Sequence, residues 1–337
     1  MKKELLFLTT IIFLSGCTGG SDSATDKPLT TEGDYGLIIS EFSTDFATME
    51  EGDIATLLVE LQNIDTEPAE NIEIKIYPVG LEISALKSIK KESVLEPNDT
   101  TFFEFDVTAP DGLNIDRTYT PYAEICYNYK SAASTSVFII DNSIYERDML
   151  VPDAQKTSTT APVDVSVSFT ADLVKVEEIP AGRDRTLSIS MVNVDNGYLM
   201  LGETGFPGSN DKHQINAGNL TLTVTTTGSG IITIVEDQTD PEFVCSNTKP
   251  IVIDDDSTSN SISNIVTIDE VDSNEKIYCT NLYDVSFGST GSSKTMRLPI
   301  NFNPTSGGQD VPYFKVDLDY RYCIQTEPIT ITATKII

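Results

Sequence analysis

Apolar and polar residues alternate along much of this chain, and an alternation of period two predicts half-buried β-strands. The pattern is strictest in Val163–Phe169 and Ile72–Ile76, where every second residue is apolar. Short apolar or alternating runs, separated by turns rich in proline, glycine and asparagine, predict further strands at Ile54–Leu61, Thr101–Val107, Tyr119–Tyr129, Thr135–Ile140, Leu187–Val192, Leu220–Thr226, Ile231–Val235, Tyr313–Tyr322 and Ile329–Ile337. Only Leu81–Glu92 could form a helix, and its serines and isoleucines disfavour one. The pattern therefore predicts an all-β protein of the sandwich type.

Residues 141–162 interrupt this pattern and divide the chain into two domains. The segment ends in Lys156–Pro162, a polar and threonine-rich run that is typical of a linker. We therefore expect a first β-sandwich at residues 35–140 and a second at 163–337, joined in tandem. The final run, Ile329–Ile337, could also pair with a sheet edge of a neighbouring molecule.

Short motifs in the first domain resemble those of the CARDB and archaeal S-layer-like group of immunoglobulin-like modules. They are Glu51-Gly52 before a strand that ends at Asn63, then Pro68-Ala69-Glu70-Asn71, and finally Leu95-Glu96-Pro97 before the next strand. The resemblance covers roughly residues 36–140, and Asn98 stands where the group usually has glycine. It implies an immunoglobulin-like β-sandwich that serves adhesion, surface assembly or spacing, and it carries over no catalytic residues. Together with the division of the chain, it leads us to expect two immunoglobulin-like β-sandwich domains in tandem.

An internal repeat supports the division into two domains. Pro121–Lys130 aligns without gaps to Pro312–Arg321, and Tyr129 is matched with Tyr320. One interpretation is a duplicated binding face. The other is a duplicated sandwich whose tyrosines pack and cap a strand, as tyrosine corners do, and we favour this second interpretation.

The second domain is expected to carry a large insertion. The domain starts, Leu37 and Val163, lie 126 residues apart, whereas the repeated strands lie 191 residues apart, so the second copy has about 65 extra residues. We place these in Leu201–Ala217 and Asp237–Gly308. Insertions in a sandwich usually fall in loops, where binding residues concentrate.

The N-terminal stretch predicts the compartment of the protein and its attachment to a membrane. Lys2 and Lys3 precede the apolar run Leu5–Leu14, which is shorter than the roughly 20 residues that span a bilayer and suits a signal peptide. Leu14-Ser15-Gly16-Cys17 resembles a lipobox, in which the cysteine is acylated and becomes the new N-terminus. We expect a lipoprotein signal peptide at residues 1–17 and a flexible spacer at 18–34. The alternative is an ordinary signal peptide with an incidental cysteine.

The charge of the chain limits the classes of partner that it can bind. Asp and Glu number 52 against 22 Lys and Arg, which gives a net charge of −30. Nucleic acid and anionic lipid are therefore unsuitable partners for the mature surface. Tryptophan is absent, which weakens a sugar-binding interpretation, although 13 tyrosines could supply stacking surfaces instead.

Five cysteines fit an exported protein. If Cys17 is lipidated, four remain, and four cysteines allow three disulfide connectivities. Cys245 and Cys279 both lie in the expected insertion, and we favour a bond between them. Cys126 could be a buried free thiol, and Cys323 could compete for either cysteine of the insertion.

The candidate chemistry in this sequence is weak. The single histidine, His213, cannot form a histidine-rich metal site, and no Gly-x-Ser-x-Gly motif accompanies it. Asp254–Asp256 and Asp195–Gly197 offer oxygen ligands for Ca²⁺ but are more simply solvated acidic turns. Asn98 and Asn219 begin N-glycosylation sequons. No other metal or cofactor is expected.

These observations predict a lipid-anchored, extracytoplasmic protein that is not an enzyme. It would present its distal domain for adhesion or envelope assembly on the cell surface or periplasmic face, with an envelope protein or glycan as partner. The alternative is a ligand-capture lipoprotein that binds a sugar, a cation or a peptide. A hydrolase with paired carboxylates is the least favoured hypothesis.

Overall fold

The chain folds as an all-β protein. The computed structural model describes residues 35–142, 145–146, 155–176, 183–202, 204–206, 212–225, 231–235, 242–246, 265–268, 276–288, 292–303 and 309–335. The predicted signal peptide and spacer, including Cys17, lie outside the described residues. No helix within these ranges is long and apolar enough to cross a membrane.

The strands, numbered in chain order, are β1 Leu37–Thr44, β2 Thr48–Glu50, β3 Ile54–Asn63, β4 Ala69–Tyr77, β5 Ile89–Leu95, β6 Thr100–Thr108, β7 Arg117–Tyr119, β8 Tyr122–Ser136, β9 Phe138–Asp141, β10 Lys156–Ser158, β11 Val163–Phe169, β12 Leu173–Val176, β13 Arg183–Asn193, β14 Tyr198–Met200, β15 Gln214–Ile215, β16 Leu220–Thr225, β17 Ile231–Val235, β18 Phe243–Ser246, β19 Ile265–Ile268, β20 Lys276–Asn281, β21 Val285–Ser286, β22 Ser293–Asn303, β23 Gln309–Asp310, β24 Tyr313–Gln325 and β25 Ile331–Thr334. Residues Leu81–Ser88, where a helix was considered, form turns and a short bridge before β5.

Two long strands, one from each half of the chain, pair with each other and join the halves. β8 and β24, here called the central strand pair, run antiparallel over thirteen residue pairs, from Glu124 opposite Gln325 to Ser136 opposite Tyr313. Strands from both halves thus share one nine-stranded sheet, whose main order is β18-β20-β16-β24-β8-β4-β5. The tandem arrangement expected from the sequence is therefore replaced by a side-by-side arrangement with a shared sheet.

Each half adds a second sheet built on the same plan. The first half has the order β1-β3-β6, and the second has β11-β13-β22 continued by β17 and β19. In the large sheet, β4 and then β5 lie beside β8 on one side of the central strand pair. On the other side, β16 and then β20 lie beside β24 in the same way. The alternating apolar residues of these strands are buried, and residues of both halves belong to one hydrophobic cluster. Burial of this apolar surface is the main force that holds the halves together.

The repeat also extends to a turn that the sequence comparison missed. Asn63 donates from Nδ2 to the Glu67 carbonyl oxygen at 2.8 Å, and Asn193 donates from Nδ2 to the Gly197 carbonyl oxygen at 2.9 Å. In both turns the backbone N–H two residues after the asparagine donates to its Oδ1. Asparagine side chains stabilise such turns by taking the place of backbone partners.

The additional strands of the second half match the expected insertions only in part. β20 and β22 fall within Asp237–Gly308, yet their sheet positions match β5 and β6, so they belong to the common framework. The strands without a counterpart in the first half are β14 and β15, between β13 and β16, then β17, β18 and β19, between β16 and β20, and β21, between β20 and β22. The periodicity could not make this distinction, because a framework strand and an added strand have the same alternation.

The expected linker and the C-terminal strand both pack against the first half. In the expected linker, β10 pairs with β8, and the Thr159 N–H donates to the Ala132 carbonyl oxygen at 2.9 Å. β25 lies between β2 and β7 of the first half, with Ile331 and Ala333 fully buried. The C-terminal strand is therefore used within its own chain.

Gly197→Ala should destabilise the protein by about 1–3 kcal/mol, the usual cost of overpacking. A Cβ atom on Gly197 would lie 2.4 Å from the Cys323 carbonyl oxygen and 2.5 Å from the Tyr322 ring. Urea unfolding measures the difference. The exposed Thr330→Ala should change stability by less than about 0.5 kcal/mol, and equal effects of the two substitutions would show that the close approach is unimportant.

Candidate functional site on the central strand pair

The inner face of the central strand pair carries four buried tyrosines that contact one another in a ring. Ring centroids are 5.9 Å apart for Tyr127 and Tyr129, 6.2 Å for Tyr129 and Tyr320, 6.2 Å for Tyr320 and Tyr322, and 6.0 Å for Tyr127 and Tyr322. All four contacts are edge-to-face, the arrangement that the aromatic quadrupole favours. Because two tyrosines come from each half, the ring links the halves at their centre.

The hydroxyl groups of these tyrosines hold the first strand of each half and a turn of the second half. The Leu37 N–H donates to the Tyr127 hydroxyl at 3.3 Å, and the Val163 N–H donates to the Tyr320 hydroxyl at 3.2 Å. The Tyr322 hydroxyl donates to Asn193 Oδ1 at 2.8 Å. Burial raises the pKa of these tyrosines. They pack and cap strands, as the structural interpretation of the repeat proposed.

The outer face of the same pair carries a buried cation, Arg321. Its side chain is 1% exposed. The guanidinium donates to Glu73 Oε2 at 3.0 Å, Asn128 Oδ1 at 3.0 Å, the Asn71 carbonyl oxygen at 3.2 Å and the Gly205 carbonyl oxygen at 3.1 Å. A bulge in β4 between Glu70 and Glu73 interrupts the register where Asn71 meets this cation.

Glu73 is the buried counter-ion of Arg321, with a side chain 5% exposed. It also accepts a hydrogen bond from Lys91, directly opposite it on β5, and one from the Gly205 N–H at 2.6 Å. Burial alone would raise the pKa of Glu73, but these two hydrogen bonds and the charge of Arg321 lower it below its ordinary value. The pair therefore stays charged, and together its two side chains bind both backbone polar groups of Gly205, the N–H and the carbonyl oxygen.

A second buried carboxylate, Glu124, organises aromatic side chains on the same face. It accepts hydrogen bonds from the Tyr77 hydroxyl at 2.7 Å, from Gln325 Nε2 at 3.0 Å and from the Tyr198 hydroxyl. Burial, and then the Glu124 carboxylate, raise the pKa of both tyrosines. The rings of Tyr77 and Tyr122 stack with centroids 4.7 Å apart and planes 8° from parallel.

An open groove of about 670 Å³ lies beside this network, and we call it the Tyr122 groove. Tyr122 and Tyr198 line it together with Asn196, Gln325 and Glu327. A second cavity of about 400 Å³ lies farther along the same face and is lined by charged and amide side chains, among them those of Asp319, Asn219 and Arg321.

Both disulfides of the structure lie within sheets. Cys245 of β18 is bonded to Cys279 of β20. Cys126 of β8 is bonded to Cys323 of β24 across the central strand pair, and both residues are fully buried. The interpretation of Cys126 as a free thiol is therefore wrong. Its partner is 197 residues away in the chain and became apparent only from the strand pairing.

The remaining candidate residues do not converge on one site. Asn98 is exposed in the turn before β6, with φ of 67°, and Asn219 is partly exposed just before β16. His213 has φ of 64°, and its Nδ1 atom is buried with no hydrogen-bond partner among the described residues. Its ring lies 6.2 Å from that of Tyr198.

The calcium candidates are not supported as a site. The Asp195 carboxylate accepts a hydrogen bond from the Asn196 N–H at 2.8 Å within its own turn. Asp254–Asp256 lie outside the described residues. Within the part of the chain that the structure describes, no three histidine, cysteine, aspartate or glutamate side chains are grouped to hold a metal ion.

Sequence reasoning missed Arg321, Glu73 and Glu124 as members of a buried network. Each occupies a polar position of a strand, which the alternation assigns to solvent. Gly205, which follows β14 in the chain, packs over Arg321 and Glu73. No local sequence pattern predicts this contact. The available signal was the number of tyrosines around position 124, namely Tyr119, Tyr122, Tyr127 and Tyr129.

Comparisons with known proteins give no family for this chain. No family model matches it, and no curated protein matches it. The solved structures it resembles include the secreted serine protease VesC from Vibrio cholerae, with 11% identity and a TM-score of 0.20 over 81% of this chain and 52% of the protease chain. Another is the collagen adhesin CNA from S. aureus, with 6% identity and a TM-score of 0.10 over 89% of this chain and 93% of the adhesin chain. The chain thus spans about half of the protease chain, and likenesses this weak carry no argument about function.

Proposed function

We propose that this protein is a lipid-anchored structural or interaction protein of the cell surface, attached through Cys17 and used for adhesion or envelope assembly. The observation that carries the proposal is the Cys126–Cys323 disulfide, buried where the two halves share a sheet. It makes the halves a single cross-linked unit, as suits a protein that bears load or presents a surface. Disulfides persist in oxidising, extracytoplasmic compartments, where the lipobox would place the chain.

The buried ionisable groups support a role without catalysis. The Arg321–Glu73 pair binds the backbone N–H and carbonyl oxygen of Gly205, and Glu124 accepts hydrogen bonds from two tyrosines and an amide. A general acid or base needs a proton position open to substrate. Here the carboxylates are committed to contacts that stabilise the central strand pair.

The proposal includes two immunoglobulin-like sandwiches of the CARDB and S-layer-like type, fused side by side. Its support is the shared plan of the halves, β1-β3-β6 with β8-β4-β5 and β11-β13-β22 with β24-β16-β20. In this arrangement the surface that the protein presents to a partner includes the first half, because both halves contribute to the outer face of the central strand pair.

The second candidate function is ligand capture, and the Tyr122 groove is the observation that favours it. A concave surface lined by aromatic rings and a few polar groups is the usual form of a small-ligand site. The two functions are compatible, since an adhesion protein also binds through such a surface.

Cys17→Ser should move the protein from the membrane pellet to the soluble fraction. A single residue carries the expected lipid, and stable anchoring needs the acyl chains that it would bear. Fractionation of cells followed by immunoblotting measures the distribution. Thr18→Ser is the matched control, because it leaves the thiol in place. Membrane association that survives Cys17→Ser would refute the lipid anchor.

A further inference from the structure

We propose that the Tyr122 groove binds a neutral carbohydrate, with the tyrosine rings as stacking platforms and the amides and carboxylate at its rim as partners for sugar hydroxyls. The inference rests on the proposed function, since envelope glycans are what an exported surface protein meets. It adds a named site and a ligand class.

The first step concerns the ring of Tyr122. Tyr77 covers one of its faces, stacked in parallel at 4.7 Å. Because Tyr122 also lines the groove, a ligand can meet only the opposite face and the ring edge. A flat apolar surface of this kind complements the C–H face of a pyranose ring, and aromatic contacts of this type contribute about 0.5–1.5 kcal/mol beyond area burial.

The second step is that Tyr198, and the Tyr77 ring on which Tyr122 stacks, are held in place before any ligand arrives. Glu124 is 3% exposed and accepts hydrogen bonds from the hydroxyls of Tyr77 and Tyr198. Those hydroxyls are therefore occupied, and the tyrosines offer their rings rather than their polar ends. Groups held rigidly in this way lose little conformational entropy on binding.

The third step concerns the rim. Asn196, Gln325 and Glu327 lie around the groove and are exposed. Gln325 donates one N–H to Glu124, an arrangement that fixes the orientation of its amide group. An amide donates to one hydroxyl and accepts from another, and a carboxylate accepts from hydroxyls, so together they match the adjacent hydroxyls of a sugar.

Charge selects a neutral sugar over the other ligands that aromatic rings bind. A net charge of −30 disfavours anionic ligands. Cations would seek ring faces, yet Lys75 lies 4.4 Å from the Tyr77 ring centroid and Lys212 lies 4.1 Å from that of Tyr198. These lysines already occupy cation–π positions, so a cationic ligand would meet repulsion there.

Isothermal titration of the purified full-length chain in detergent tests the proposal, with maltohexaose, cellohexaose and chitohexaose as neutral probes and choline as a cationic probe. We expect at least one oligosaccharide to bind. Tyr122→Ala should weaken that binding about tenfold, the effect of losing one stacking contact. Tyr122→Phe, which keeps the ring, should bind as the unchanged chain does, and so should Tyr283→Ala, which removes an exposed tyrosine elsewhere.

Three outcomes would overturn the proposal: no binding of any oligosaccharide, binding of choline alone, or sugar binding that Tyr122→Ala leaves unchanged. Gln325→Ala provides a second variant should Tyr122→Ala fail to fold, and it too should weaken sugar binding. Since the titration does not depend on the lipid, its failure is distinct from a failure of the Cys17 anchor in the fractionation experiment.

Discussion

Replacing Cys126 and Cys323 together with alanine should lower the free energy of unfolding by about 5 kcal/mol, the chain-entropy value for a closed loop of this length. The disulfide spans 197 residues and is fully buried. It joins directly opposed residues of the central strand pair. Its loss therefore frees the two halves from each other in the unfolded chain while also removing packed sulfur atoms from the folded one. Equilibrium unfolding in guanidinium chloride measures the effect.

The second disulfide provides a matched control within the same molecule. Cys245 and Cys279 are separated by only 34 residues, so the same model gives about 4 kcal/mol for their replacement by alanine. That bond joins β18 to β20 within the second half and leaves the central strand pair untouched. Only the Cys126/Cys323 variant should allow the halves to unfold in separate transitions. A single transition with an unchanged midpoint in that variant would contradict the proposed cross-link.

Local patterns predicted much of the fold because they concern neighbouring residues. The strands β4 and β11 were expected from alternation and β3 from a short apolar run, and the apolar face of each is buried. The turn at Asp195–Gly197 was expected from its residues, since asparagine and glycine suit tight turns. These features depend on a few adjacent side chains, so the sequence alone identifies them.

The partner of each strand could not be predicted in the same way. Alternation in β8 separates Tyr127 and Tyr129 from Cys126 and Asn128, but it does not say what covers either face. The pairing with β24 joins residues nearly 200 positions apart, and sequence separation of that size leaves no periodic trace. This is why the halves were expected in tandem and why a free thiol was considered for Cys126.

The candidate site depends on this long-range pairing and was missed for the same reason. Arg321 and Glu73 belong to different halves and meet only because β24, β8 and β4 are successive strands of one sheet. The Tyr122 groove likewise combines Tyr122 of β8 with Tyr198 of β14. The tyrosine content suggested stacking surfaces, whereas their location required the topology.

Arg321→Met should destabilise the protein by about 3–5 kcal/mol, the cost of leaving a buried charge without its partner. Glu73 would keep Lys91 and the Gly205 N–H but lose the guanidinium that lies 3.0 Å away. The Gly205 carbonyl oxygen and Asn128 Oδ1 would lose their donors as well. Urea unfolding at neutral pH measures the loss.

Lys130→Met is the matched control for this substitution. Lys130 pairs with Asp319 at 3.6 Å across the same two strands, but the two side chains are 65% and 57% exposed. Exposed pairs contribute at most about 1 kcal/mol, so the control should be nearly neutral. Similar effects of the two substitutions would mean that burial of Arg321 does not matter.

The pH dependence of stability gives a second measure of the same pair. The folded chain holds the pKa of Glu73 below its ordinary value of 4.5, so the unfolded chain takes up its proton at a higher pH than the folded chain does. The stability from this group is complete above the unfolded pKa and is lost as pH falls through the folded pKa. Arg321→Met removes one cause of the lowered pKa and should make the loss of stability on acidification below about pH 4.5 smaller. A steeper acid dependence in the variant would show that Arg321 does not stabilise the ionised form of Glu73.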